Sequence, residues 1–348
     1  MSAVPANAIE VTQLTARDHV RWDAFVEGCP DATFCHRAGW QTVIEQAFGH
    51  DTCFLMAERD GQIEGVLPLA RVKSLMFGDS LVSLPFCVYG GIAATSDDAA
   101  EALDSAAQAH ASECAVDHLE YRHIRPVHPD WPTKDLYVTF RKPIEPDVEA
   151  NMQAIPRKQR RMVRQGIKAG LHSAFEDNTD TFFDIFAQNV HRLGTPVFSK
   201  RYFETLRQVF GDDCRILTVR RGDEPVATVM TFYFRDEVLP YYGAGMPVAR
   251  DVAGYDFLYW ELMRRSCEAG YRWFDYGRSK QGTGSYSFKK NWGFEPTPLY
   301  YEFQLHQGKE VPDTNPLNPK YQTAIRLWQR LPLPVANWLG PRIVRNLG

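Results

Sequence analysis

An internal duplication constrains the fold of this 348-residue chain more than any other feature of its sequence. The segment RAGWQTVIEQAFG at 37–49 has a counterpart, SKRYFETLRQVFG, at 199–211, and the offset is 211 − 49 = 162. Two longer segments, 53–72 and 215–234, repeat at the same offset, 215 − 53 = 162. Each of these is a β-rich run, a Gly/Asp turn and a second β-rich run, which is typical of a β-hairpin.

The order of the elements repeats as well. After the helix and the hairpin, each half has a proline-containing segment, an amphipathic helix and a short strand, at 83–91, 97–113 and 117–122 and again at 238–245, 254–269 and 271–277. This order mixes antiparallel with parallel pairing. Five matches in one order favour duplication over chance similarity. We therefore predict an α/β protein with mixed (α+β) sheets.

Composition narrows the class of protein. Hydrophobic residues make up 44% of the chain, enough for more than one modest domain, while a net charge of −4 argues against a general DNA-binding protein. The seven cysteines form no C-x-x-C pair, which indicates reduced thiols, and the ten histidines lack ligand spacing, so we expect no metal. Residues 1–14 show no signal-peptide pattern, and no apolar run approaches about 18–20 residues, so we expect a cytoplasmic protein.

A basic segment connects the two halves. We predict a helix that starts at Pro156 and ends near Gly170. Val163 and Ile167 should lie on one side of this helix and dock on a core. No acidic residue interrupts 157–175, so like charges are left uncompensated, and we interpret the basic side as an anion-binding surface. A solvated helix face is the alternative. The basic stripe consists of Arg157, Arg160, Arg161, Arg164 and Lys168.

The segment FDYGRSKQGTGSYSFKKNWGF at 274–294 combines glycines with cations. Gly282 and Gly284 permit close approach of the backbone to a ligand, and Arg278 and Lys280 add donors, which together predict an anion cradle. The segment is neither a Walker loop nor a Rossmann fingerprint, and it lacks the Gln/Arg-x-x-Gly-x-Gly/Ala pattern of acetyl-CoA-dependent N-acetyltransferases. A mobile surface loop is the alternative.

Aromatic residues surround a lysine at the end of that segment. Lys289 lies between Phe288 and Trp292 in the sequence, so its ammonium group is expected in a partly dry site, where it acts strongly on an oxyanion or a phosphate. Alternatively, its methylene stem covers aromatic surface while the charge stays in water. Of the adjacent lysines 289 and 290, one must point differently from the other.

Three segments resemble the FemAB family, in particular the FemAB-related proteins that accompany PEP-CTERM/exosortase and exopolysaccharide loci. They are LGTPVFSKRYF at 193–203, the 274–294 segment and EPTPLYYEF at 295–303. The basic segment at 156–171 is similar to the one that begins the family's second half. The resemblance implies two tandem GNAT-like (acyl-CoA N-acyltransferase-like) domains, expected at 1–145 and 146–308, followed by a C-terminal helical tail at 309–348.

The resemblance also implies a function. We expect an acyltransferase or aminoacyltransferase that forms an amide or ester on a peptidoglycan or exopolysaccharide precursor, by direct attack on acyl-CoA or aminoacyl-tRNA, without a tightly bound cofactor. A non-catalytic GNAT-like binding protein of an envelope or polysaccharide assembly system is the alternative. The family's aromatic–lysine pair, which lines the substrate channel, matches Phe288 and Lys289. The expected catalytic residues are Lys289, Arg278 and Tyr242, with Tyr241 and Tyr276 binding substrate beside the cradle and the stripe.

The last segment raises a question of location. Residues 316–348 contain Trp328 and Trp338 among leucines and arginines, as interfacial helices do. A peripheral contact of this tail with the inner face of the membrane is therefore one expectation. Pro332, Pro334 and Pro341 interrupt the segment, so a packed tail is the other expectation.

Overall fold

A computed structural model describes residues 8–74, 78–306, 310–311 and 319–347. In the last range, side chains are described only from residue 322 onward. Residues 309, 312–318 and 348 of the predicted tail lie outside the described residues. The chain forms two compact units. Unit 1 comprises 1–135, 299–314 and 345–348, and unit 2 comprises 136–298 and 315–344.

Strands and helices are numbered in chain order. The strands are β1 Glu10–Gln13, β2 Asp51–Arg59, β3 Gln62–Ser74, β4 Gly78–Ser83, β5 Ala93–Ala94, β6 His118–His123, β7 Thr133–Lys134, β8 Tyr137–Pro143, β9 Leu171–Glu176, β10 Cys214–Arg221, β11 Glu224–Phe234, β12 Glu237–Gly245, β13 Trp273–Asp275, β14 Ser279–Lys280, β15 Pro296–Pro298 and β16 Tyr300–Leu305. The helices are α1 His19–Gly28, α2 Gly39–Phe48, α3 Asp97–Glu113, α4 Val148–Ala154, α5 Arg157–Lys168, α6 Asp180–Leu193, α7 Lys200–Phe210, α8 Gly254–Glu268, α9 Gly284–Asn291, α10 Pro319–Arg330 and α11 Leu333–Val344.

Unit 1 is built on a mixed sheet with the strand order β1-β2-β3-β4-β6-β16-β7, and β5 pairs with β3. The predicted hairpin is the antiparallel pair β2–β3, and β4 pairs in parallel with β6, as the helix between them requires. Helix α3 covers one face of this sheet, because its alanines and Leu103 pack against Leu55 and Leu67. The core of unit 1 is therefore the layer between α3 and the sheet.

Unit 2 repeats this plan with helices on both faces of its sheet. Its strand order is β14-β8-β13-β12-β11-β10-β9, and β15 pairs with β8. Adjacent residues of β12 identify the two faces, since successive side chains of a strand point to opposite sides. Gly243 lies against Tyr259 of α8, whereas Tyr242 packs with Phe186 of α6 and Phe203 of α7. Helix α5 packs on α8, and α10 and α11 pack on α6.

Two strands pair with a sheet that lies outside their predicted domain. Strand β8 precedes residue 146 yet pairs with β13 of unit 2, and β16 follows the core of unit 2 yet pairs with β6 of unit 1. The structure thus divides the chain differently from the ranges 1–145 and 146–308. The physical reason is that both strands cover an edge that would otherwise leave N–H and C=O groups unpaired.

Helix α5 has the bounds that the sequence predicts, but one predicted contact is wrong. Gln159, Val163 and Gly166 are buried against the unit, whereas Ile167 is 52% exposed. Gly166 takes the place expected for Ile167, because a Cβ at that position would lie only 2.7 Å from Cβ of Phe257 on α8. Among the described residues, no helix has the length and apolar character that a membrane span requires.

The substitution Gly166→Ala should destabilise the protein even though alanine is the better helix former. The gain in helix propensity is at most about 1 kcal/mol. Overpacking against Cβ of Phe257, which cannot move without its backbone, costs about 1–3 kcal/mol. We expect urea denaturation to show a net loss of roughly 1 kcal/mol.

Gly28→Ala is the matched control. Gly28 is the last residue of α1, and a Cβ there would meet no atom within 4 Å. This change should raise the free energy of unfolding by about 0.5 kcal/mol. Equal effects of the two alanines would contradict the close packing of α5 on α8.

Candidate functional site

Strands β12 and β13 separate soon after they meet. They pair in parallel only at Glu237–Trp273 and Val238–Phe274. Strand β12 continues alongside β11 to Gly245, whereas the chain after β13 turns to β8, where the amide of Tyr276 donates to the carbonyl oxygen of Phe140 at 2.8 Å. The sheet therefore opens at the carboxyl ends of two parallel strands, which is where α/β sheets commonly bind ligands.

Aromatic side chains line the β12 side of this opening. Any Cβ at Gly243 would overlap the hydroxyl of Tyr259, so the ring from α8 approaches the strand closely. The ring of Tyr259 lies 4.9 Å from that of Tyr276 and 5.4 Å from that of Phe288. Residues from α8, α9 and the end of β13 thus converge beside β12. Of these, Tyr276 and Phe288 were predicted from the sequence.

The hydroxyl of Tyr276 is buried without a partner. Tyr276 is 4% exposed, and its hydroxyl makes no hydrogen bond to any described residue. Burial raises the pKa of Tyr276 well above its ordinary value, and Tyr259 and Asp256 raise it further, so the phenol keeps its proton. A buried unpaired hydroxyl costs about 1–3 kcal/mol. A buried unsatisfied polar group calls for a specific explanation, and a catalytic role is one such explanation.

Asp256 is a proton acceptor close to this group. It is the third residue of α8, and its Oδ1 accepts a hydrogen bond of 3.0 Å from Nε1 of Trp292. Burial raises the pKa of Asp256 to about 6, although the Trp292 hydrogen bond acts in the opposite direction. At neutral pH the carboxylate is therefore ionised, and it is more basic than an ordinary Asp carboxylate. This is the property required of a general base.

Lys289 is buried, and its neighbour Lys290 is exposed, so the two point differently as expected. Its Nζ donates to the carbonyl oxygens of Tyr276, Gly277 and Arg278 at 2.6, 2.9 and 3.1 Å. Burial lowers the pKa of Lys289 to about 7, although Asp275 acts in the opposite direction, and three acceptors favour the ammonium form. All three N–H groups are therefore engaged with the backbone. Lys289 fixes the turn that follows Tyr276.

Asp275 holds the same turn from its other side. Its Oδ1 accepts hydrogen bonds from the amide of Gly277 at 2.7 Å and from Oγ1 of Thr139 at 3.1 Å. Gly277 has a φ of +64°, in the left-handed region that favours glycine. The position of the Tyr276 ring thus depends on one buried cation and one buried anion.

The predicted cradle is an ordered structure. Strand β14 pairs with β8, and α9 begins where Oγ1 of Thr283 accepts the amide of Tyr286. The charged ends of Arg278 and Lys280 lie 4.6 and 5.6 Å from the ring centroid of Tyr137, so both cations contact one ring. A Cβ at Gly282 or Gly284 would meet no atom within 4 Å. This rim is therefore cationic and open.

Tyr241 and Tyr242 lie apart from this group. Met230 pairs with Tyr242 and Thr231 with Pro240, so Tyr241 is an extra residue in β12. Such a bulge turns successive side chains to one face. The ring of Tyr242 packs among the aromatics of α6 and α7, and its hydroxyl lies 2.7 Å from that of Tyr202. The structure thus places both tyrosines on the face opposite Tyr276.

The basic stripe faces outward on α5. Arg157, Arg161, Arg164 and Lys168 are exposed, and Arg160 contacts Gln153. The stripe is on the side of α5 opposite the buried Val163 and Gly166, so it faces outward. It forms a separate surface from the rim of Arg278 and Lys280.

Little in the sequence points to Asp256 and Tyr259 as site residues. An acidic residue in the first turn of a helix commonly interacts only with the helix dipole, and a helical tyrosine commonly belongs to the core. A usable signal was the pair Gly243 and Gly245 in β12, because two glycines in a strand mark close approach of another group.

Unit 1 carries a cavity of opposite charge. Its volume is about 420 Å³, and it lies beside the start of α3. The side chains that line it include Asp31, Asp97, Glu101 and Asp104. Carboxylates at a helix N-terminus disfavour an anion there. Within the described residues we find no group of three His, Cys, Asp or Glu side chains that could hold a metal ion.

The chain was compared with known proteins. Residues 151–290 match a family model described as an acetyltransferase (GNAT) domain. No curated protein sequence matches significantly. Three similar crystal or solved structures are FemX (TM-score 0.65, 16% identity, 84% of this chain and 97% of that chain), L-PGS from Bacillus licheniformis (0.52, 13%, 90% and 97%) and a tandem GNAT protein from the clavulanic acid biosynthesis pathway (0.52, 11%, 87% and 100%).

These similarities concern the fold. The family model covers residues within unit 2, and the structural matches extend over most of the chain. They confirm the predicted mixed α/β architecture. The protein has two GNAT-like domains in tandem.

Proposed function

We propose that this protein is a transferase that joins an acyl or aminoacyl group to an amine or hydroxyl of a cell-envelope or exopolysaccharide precursor. The observation that carries the proposal is the buried hydroxyl of Tyr276 at the opening between β12 and β13, which has no hydrogen-bond partner among the described residues. The matched GNAT domain spans this opening, and the similarity in fold to FemX and L-PGS favours an envelope acceptor.

The proposed reaction is direct attack on an activated carrier. The acceptor amine attacks the carbonyl carbon of the donor, a C–N bond forms, and Asp256 takes the proton that the nitrogen loses. The Tyr276 hydroxyl donates a hydrogen bond to the oxyanion of the tetrahedral intermediate. When the C–S or C–O bond to the carrier breaks, the leaving group takes the proton from Asp256. With a hydroxyl acceptor the bond formed is C–O.

Lys289 has a positioning role in this mechanism. The sequence predicts that Lys289 contacts the oxyanion or a phosphate, but its three donors are engaged with backbone carbonyls. We propose instead that it holds the turn at 276–278 and so aims the Tyr276 ring at the reacting carbonyl. A misplacement of about 1 Å at such a position can lower the rate about a hundredfold.

The anionic part of the donor is assigned to unit 2. Arg278 and Lys280, with the open backbone at Gly282 and Gly284, would bind a phosphate near the reacting group. The stripe on α5 would bind a longer anion, since Arg157 and Lys168 are about 16 Å apart along the helix axis. The acidic cavity of unit 1 is unsuited to either anion. Acyl-CoA and aminoacyl-tRNA are the two donor classes, and the reaction is assigned to the cytoplasmic side of the membrane.

The substitution Tyr276→Phe should separate activity from stability. Transfer should fall about 10²–10³-fold if the hydroxyl stabilises the oxyanion. The free energy of unfolding should stay equal or rise by about 1 kcal/mol, because an unpaired buried hydroxyl is removed. The measurements are single-turnover transfer rates and urea denaturation.

Tyr233→Phe is the control for this test. Tyr233 is buried in the same core but contacts Tyr271 rather than the opening. Removing the Tyr233 hydroxyl should leave the transfer rate unchanged. If Tyr276→Phe transfers at the wild-type rate, the proposed site is wrong. Retained precursor binding without transfer in the wild-type protein would favour the non-catalytic binding protein.

The transfer rate should have a bell-shaped pH profile. It should rise as Asp256 ionises through pH about 6 and fall as Lys289 loses its proton above pH about 7, because a neutral amine cannot serve three acceptors. Asp256→Asn should abolish the acid limb and Lys289→Met the alkaline limb, each at a lower maximum. A measurement of kcat/KM from pH 5 to 9 checks this.

The pH dependence of the stability of Asp256→Asn independently checks the direction of the Asp256 pKa shift. The pKa of Asp256 is raised from 3.8 to about 6, so its contribution is full below pH 3.8 and is lost as the pH rises through 6. The wild type should therefore lose stability relative to Asp256→Asn over that interval. A pH-independent difference would contradict the buried environment of Asp256.

The double substitution Arg161→Glu/Arg164→Glu should identify the ligand of the stripe. If the stripe contacts a polyanion, tRNA binding should weaken and the slope of log K against log salt should fall by about two, since two phosphate contacts are lost. Acyl-CoA binding should be unchanged. Isothermal titration with both donors measures this, and weakened acyl-CoA binding alone would assign the stripe to the thioester.

A further inference from the structure

Close packing fixes the orientation of the last two helices. A Cβ at Gly194, which follows α6, would overlap Ile325 of α10. A Cβ at Gly340 of α11 would lie 2.8 Å from the carbonyl oxygen of Val197. Neither contact leaves room for rotation of the helix about its axis. Each helix therefore has one side fixed against unit 2.

The opposite sides of these helices expose large apolar residues. Leu327 on α10 is 59% exposed, and Val335 and Trp338 on α11 are 40% and 60% exposed. On the inner side, Trp328, Ala336 and Val344 are buried. The exposed apolar residues thus lie on the faces that point away from α6, where unit 2 cannot cover them.

Cations accompany these apolar residues. Arg326 and Arg330 lie within three positions of Leu327, and the guanidinium of Arg342 lies 4.1 Å from the ring centroid of Trp338. No Asp or Glu occurs between residues 319 and 347, which contain five Lys and Arg residues. This pattern is uncommon for a soluble surface, where charges of both signs alternate.

We infer that these outward faces form a docking surface for a membrane rich in anionic phospholipid. The surface, called here the tail face, consists of Leu327, Val335 and Trp338 with Arg326, Arg330 and Arg342. Tryptophan and arginine together suit the interface between headgroups and acyl chains, because each has an apolar body and a polar end. Basic residues near an anionic leaflet add attraction. The tail face lies on the membrane and does not cross it.

The charge selects this occupant over the other candidates. A second copy of the chain would have to bring its own arginines against those of the first, because a two-fold interface opposes like patches. An anionic surface compensates the same arginines. The inference is independent of the proposed transfer reaction, since it involves none of the residues at the opening.

The full-length protein should bind vesicles of equal parts phosphatidylcholine and phosphatidylglycerol, and bind pure phosphatidylcholine vesicles much less. Two double variants test the tail face, Leu327→Ser/Trp338→Ser and Arg326→Glu/Arg330→Glu. Each should weaken binding to the mixed vesicles by roughly tenfold or more in a co-sedimentation assay. All four positions are on outward faces, so thermal unfolding should match the wild type.

Two control variants carry the same kinds of change elsewhere. Val20→Ser removes an apolar residue that is 81% exposed, and Arg17→Glu/Arg201→Glu reverses two exposed charges outside the stripe and the tail face. Both should bind the mixed vesicles as the wild type does. If one tail variant unfolds, the other decides.

Three results would overturn the inference. One is equal binding of the wild type to both kinds of vesicle, or to neither. Another is that Arg161→Glu/Arg164→Glu on α5 loses vesicle binding while both tail variants bind fully. The third is dissociation of a dimer by the tail variants in sedimentation velocity with vesicle binding intact, which would make the tail face a subunit interface.

Discussion

The short parallel pairing of β12 with β13 is the constraint on which the candidate site depends. If the pairing continued beyond Val238 and Phe274, the backbone of Tyr276 would bond to β12 and the two strands would not separate. Instead β8 pairs with β13 on the other edge and takes the amide of Tyr276. The sheet opens, α8 places Tyr259 over Gly243, and the hydroxyl of Tyr276 is left with no partner among the described residues. The pairing of the strands thus produces the buried hydroxyl that the proposed chemistry uses.

Local patterns in the sequence predicted the elements well, because each pattern depends on neighbouring residues. The hairpins, the helix after each hairpin and the bounds of α5 follow from alternation, helical spacing and Pro156. The exchange of β8 and β16 was not predictable in this way, since a short β-rich segment does not specify which edge it will cover. The predicted contact of Ile167 with the core was wrong for a related reason. The spacing allowed two candidates for the contact with α8, and the tighter fit of Gly166 decided between them.

The candidate site shows where sequence reasoning ends. The aromatic surroundings of Lys289 were readable, and they correctly indicated burial. Its role was not readable, because the carbonyl oxygens that it contacts belong to residues 276–278, on a turn whose shape depends on Asp275 and Gly277. The bulge at Tyr241 likewise decides which face the two tyrosines occupy, and no local signal marked it. Asp256 acquires its raised pKa only through burial beside Trp292, which is 36 residues away.

The layered arrangement of unit 2 separates two of its cationic surfaces, the stripe on α5 and the tail face. Helix α5 packs outside α8 on one face of the sheet, while α10 and α11 pack outside α6 on the other. A flat membrane bound to the tail face therefore leaves the stripe on α5 facing water. The stripe, which is almost purely ionic, suits a dissolved polyanion, whereas the tail face, with Trp338 and Leu327, suits a surface into which apolar groups insert. Because the two surfaces differ in composition and direction, a dissolved donor and a membrane can be bound at the same time.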